Sequence, residues 1–60
     1  MNMKFFDYKH LPPHLQEVSQ PFHDLAHGLT EVLSGEEVEA GLRKLLEAKD
    51  CFVRARLEKK

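Results

Sequence analysis

Two groups of side chains in this sequence have the types and spacing to do chemistry. The first is "KFFDYKH" near the N-terminus, where Tyr8, Lys9 and His10 follow Phe5 and Phe6. An aromatic face beside a cation can stack on a planar base while the cation meets a phosphate. The second group is cationic and sits toward the C-terminus: Arg43, Lys49, Arg54 and Arg56. Guanidinium forks match the oxygens of a phosphate in pairs. Lys49 stands apart, because it falls inside the apolar stripe that its own helix should bury. Its ammonium can snorkel to water or pair with Glu47, Asp50 or another chain's carboxylate. It can also project between protomers and meet an anion there. For Phe5 and Phe6 the competing expectation is that they plug the open end of a helical hairpin, since large aromatics are rarely left exposed without cause.

Other chemistries have less behind them. His10 and His14 lie four apart, as do His23 and His27, and on a helix that spacing can bring two imidazoles to one metal, with Asp24 nearby. The Glu of an H-E-x-x-H motif is missing, and no cysteine or further histidine has matching spacing. The expectation is surface histidines and no metal. Gly28, Gly35 and Gly41 are scattered and follow no strand, so they make no phosphate-cradling loop. No Ser, His and Asp set has a catalytic spacing, and two helices offer no deep cleft within one chain. The expectation is therefore a protein that is not an enzyme and uses no cofactor.

The elements that must position these residues are helical. Residues 1–11 are too short for an independent element and read as an aromatic arm, extended or turned, that packs on something else. Pro12 and Pro13 then suit a helix start, where a missing N–H is no loss. Leu15, Val18, Phe22, Leu25, Leu29 and Val32 recur three and four apart, which predicts an amphipathic helix over 12–33. Pro21 interrupts this seam without shifting its phase. One kinked helix is the preferred reading, and a fresh start at Pro21 is the alternative. "SGEE" is a turn in which Ser34 and Glu37 fit an S-x-x-E capping box. A second helix follows over 36–57, with Val38, Leu42, Leu45, Leu46, Phe52 and Val53 in its stripe. A connection this short makes the two helices antiparallel neighbours. The expected architecture is a single all-α domain spanning 1–60: an antiparallel helical hairpin with a short aromatic N-terminal arm.

Size and charge narrow the function further. A chain of 60 residues buries only a modest fraction of its surface, and its single cysteine, Cys51, allows no internal disulfide. Two short helices are therefore expected to associate, as a homo-oligomeric bundle of two chains or more. Nine Lys and Arg against ten Asp and Glu leave a net charge of −1, which argues against attraction to DNA, RNA polymers or acidic membranes. The charge is uneven, with an acidic centre, "GEEVEAG", and a basic C-terminal end, "RARLEKK". That pattern complements the dipole of the second helix. No apolar run approaches a membrane span, and "MNMKFFDYKH" has neither a signal-peptide core nor a cleavage site, so a cytoplasmic location is expected.

The stretch "LTEVLSGEEVEAGLRKLLEAKD" resembles the small phage-encoded anti-CBASS and anti-Thoeris hairpin domains. Those share an aromatic-Tyr-His arm, a helix containing "LA", a short turn, and a Glu followed by an "AL-x-K-L-x-E-A" pattern. The matching positions are Phe6, Tyr8, Lys9 and His10 in the arm and Leu25 and Ala26 in the first helix. In the second helix they are Glu37, Leu42, Lys44, Leu45, Glu47 and Ala48. The sequence departs from the pattern at Gly41, where alanine is usual, and at Lys49 to Phe52, where aromatic and Asn residues often stand. The resemblance implies a sponge, which binds a cyclic nucleotide immune messenger in the infected bacterial cytoplasm and withholds it without cleaving it. It also implies homo-oligomers with ligands held between protomers. By analogy Tyr8 would stack on a base, while Lys9, Lys49 or the arginines would meet phosphates. The rival expectation from the heptad seams alone is an interaction module that docks on a host or phage protein.

Overall fold

The structure is a computed structural model and describes residues 1–58. Lys59 and Lys60, part of the basic end and of the expected domain span, lie outside the described residues. Three elements follow one another: a 3₁₀ turn, η1, over Met3–Phe6, and two α-helices, α1 over Pro13–Val32 and α2 over Glu36–Glu58. The described residues include no strand. The protein is all-helical, with the two helices paired as a hairpin.

Each boundary has a local cause. Asn2 caps η1, its side-chain oxygen accepting from the Lys4 N–H at 2.9 Å. α1 begins behind Pro12 with Pro13 as its first residue, where the fixed φ of proline already matches a helix. It then runs on through Pro21 as one element. The fresh start at Pro21 is not what forms, because one missing N–H costs less than abandoning the seam on both sides. α1 ends at Leu33, whose extended backbone still returns its N–H to the Leu29 carbonyl at 2.9 Å.

The turn differs from the expected capping box. α2 starts at Glu36, one residue later than a Ser34 cap requires. Gly35 holds the turn at φ 118°, a region closed to most side chains. Its carbonyl accepts from Val38 and Glu39 at 3.1 and 3.2 Å. Backbone geometry at glycine therefore sets the register, and Glu36, Glu37 and Glu39 lie at the dipole-favoured end of α2.

The core is small. Phe6, Ala26 and Leu42 form its centre, and Met1, Met3, Phe22, Val38, Leu45 and Leu46 pack around them. Phe6 is fully buried, whereas its neighbour Phe5 is 57% exposed. Phe6 does not plug the open end. It enters between Ala26 and Leu42, eight residues either side of the turn, because the small alanine leaves room there for a ring.

Candidate functional site

η1 and residues 7–11 lie along one side of the hairpin, held there by Gln16 nearby in sequence and by two long-range contacts to α2. The Gln16 side-chain amide donates to the carbonyls of Leu11 at 2.7 Å and Lys9 at 3.3 Å. The ammonium of Met1 pairs with Glu39 on α2. Lys49 Nζ donates to the carbonyl of Phe5 at 2.9 Å, with Asp50 Oδ1 at 3.5 Å. The carbonyls at the end of a helical turn lack internal partners, and a cation is a favourable donor to them. The Lys49 side chain is 14% exposed, so its stem fills the stripe while its head ties down the N-terminal segment.

This arrangement builds a recess of about 400 Å³ bordered by Asp7, Tyr8, Lys9, His10 and His23. The Leu11 N–H donates to the Tyr8 carbonyl at 3.0 Å, closing a turn that presents Lys9 and His10. The Tyr8 ring meets His23 edge-on, with centroids 4.9 Å apart and planes at 69°. His23 in turn lies against His27 at 4.3 Å, and its Nδ1 is 3.1 Å from Asp24 Oδ1. The recess therefore combines aromatic faces, an ammonium, imidazole nitrogens that donate or accept, and one carboxylate. Such a set can stack a planar heterocycle on one ring and meet an anion attached to it. Among the described residues no three His, Cys, Asp or Glu side chains gather as a metal ion would need.

Of the seven residues expected at a site, the structure brings Tyr8, Lys9 and His10 together. The other four lie elsewhere. Lys49 is committed to Phe5. Arg56 Nη1 donates to the His14 carbonyl at 3.0 Å, fastening the end of α2 to the first turn of α1. Arg54 Nη2 reaches Cys51 Sγ at 3.3 Å on its own helix, and Arg43 is exposed on α2. Sequence reasoning missed His23 as a wall of the recess and Gln16 as its fastener. The His23 and His27 spacing was the available signal, and it was weighed there only for metal binding.

The fold and recess define a small all-helical hairpin with a mixed aromatic and cationic surface site. No protein family, curated protein or solved structure matches the chain. Among the described residues no helix is long and apolar enough to cross a membrane.

Proposed function

We propose that this protein is a phage anti-defence sponge: a homo-oligomer that binds a cyclic oligonucleotide or related nucleotide immune messenger in the infected bacterial cytoplasm and withholds it without cleaving it. One observation carries the reading, the recess in which the Tyr8 ring stands beside Lys9, His10 and His23. The resemblance of the arm and of the Glu37 to Ala48 stretch to the anti-CBASS and anti-Thoeris hairpins points the same way. Tyr8 stacks on a base, and Lys9 and His10 donate to phosphate.

Calorimetric titration with cyclic dinucleotides, cyclic trinucleotides and cyclic ADP-ribose isomers tests the proposal. Binding to one class with the nucleotide recovered intact is expected. No heat and no thermal shift with any of them would remove the reading. The second reading, a module docking on a host or phage protein, draws on the exposed apolar side chains of α1. One stoichiometric partner in a pull-down, together with silent titrations, would favour it.

A further inference from the structure

One side chain bordering the recess does not suit a phosphate. Asp7 stands there with Tyr8, Lys9, His10 and His23. A carboxylate beside groups that meet an anion works against them, because like charges brought together cost binding. Among the described residues no lysine, arginine or histidine nitrogen lies close enough to pair with it. Its oxygens, which accept and never donate when ionised, are therefore open to a ligand. The position is also fixed. Asp7 ends η1 with an extended backbone at φ −62° and ψ 142°, and its N–H donates to the Lys4 carbonyl at 3.0 Å. The same turn is tied to α2, where Lys49 donates to the Phe5 carbonyl at 2.9 Å.

We infer that Asp7 reads the base stacked on Tyr8 and selects guanine. This rests on the proposed nucleotide binding and adds which base the recess takes. A carboxylate presents two acceptor oxygens side by side. Guanine presents two donors side by side on its pairing edge, N1–H and the N2 amine. The match gives twin charge-assisted hydrogen bonds, which also fix the rotation of the base on the ring. The other bases lack it. Adenine sets its N6 amine beside N1, an acceptor whose lone pair faces the carboxylate. Cytosine has the same defect at N4 and N3, and uracil offers one N–H between two carbonyls. A ribose hydroxyl brings a single donor and leaves the second oxygen unused. The labour then divides by charge: Lys9 and His10 take the phosphate, Tyr8 takes the face of the base and Asp7 takes its edge.

Calorimetric titration with cyclic di-GMP and cyclic di-AMP tests the assignment. The protein should bind the guanine ligand at least about tenfold more tightly, the order by which a twin hydrogen bond to a base edge discriminates. Asp7 is exposed, so Asp7→Asn should keep the helical circular dichroism. Its amide offers one acceptor and one donor, the pattern that N6 and N1 of adenine require. The variant should lose the guanine preference and shift toward adenine. Removing a negative charge would by itself strengthen both ligands by the same factor, so the ratio of the two affinities isolates the contact with the base. Equal affinities in the wild type, an adenine preference, or a guanine preference that survives Asp7→Asn overturns the inference and leaves sequestration standing. Silence with every cyclic nucleotide removes the proposed function, and the role of Asp7 with it.

Discussion

Lys49 Nζ lies 2.9 Å from the carbonyl oxygen of Phe5, joining positions 44 residues apart. The contact explains a cation in an apolar stripe. The N-terminal segment crosses α2 there, and its last turn ends in carbonyls that need a donor. Lys49 holds the element that carries Tyr8, Lys9 and His10, and it has this role with or without a ligand.

Lys49→Met keeps the stem and removes the donor. A charge-assisted hydrogen bond near the surface contributes about 1 kcal/mol, so the denaturation midpoint should fall modestly. The Asp7 amide, which donates to Lys4 in the same turn at 3.0 Å, should exchange with solvent faster. Nucleotide affinity should weaken only as far as the recess loosens. Unchanged stability with abolished binding would instead make Lys49 a ligand residue.

Tyr8→Ala should weaken nucleotide binding about tenfold or more, since stacking on one base is worth ~1–3 kcal/mol. Tyr8→Phe should retain most of it, because the ring and its edge-on contact with His23 remain. Calorimetry on both variants separates stacking from the hydroxyl. Equal affinity in wild type and Tyr8→Ala would place the ligand elsewhere.

The hairpin was legible because its signals are local. The three-and-four spacing from Leu15 to Val32, the prolines at 12 and 13 and the "SG" turn specify helices whatever surrounds them. The arm's path was not legible, because it depends on a small residue, Ala26, opening space opposite Leu42 for Phe6. Lys49 was visible as a misplaced cation and Arg56 as a phosphate candidate, but the partners of both are main-chain carbonyls, which carry no sequence signature. The recess was half legible: Tyr8, Lys9 and His10 are consecutive, whereas His23 joins them only through the fold.

Ser19 should tolerate replacement with a gain. It is fully buried, and its Oγ has no hydrogen-bond partner among the described residues. A buried hydroxyl without a partner is destabilising by ~1–3 kcal/mol, and alanine is also the better helix former. Ser19→Ala should therefore add about 1 kcal/mol, or roughly 4–8 °C in Tm for a chain of this size. A loss of stability would show that the hydroxyl finds a partner in the assembled protein.

Pro21 bears on whether α1 is strained for a reason. It sits inside α1, it is exposed, and its ring removes the N–H that would bond the Glu17 carbonyl. An interior proline costs a helix ~3 kcal/mol against alanine. Part of that is offset here, because proline also narrows the unfolded ensemble. Pro21→Ala should then raise stability by about 1–2 kcal/mol in thermal and chemical denaturation. Pro21 lies across α1 from His23 and so away from the Tyr8 recess, and nucleotide affinity should not change. If the variant gains stability but loses nucleotide affinity, proline is shaping α1 for its ligand, and the helix carries a bend that function requires.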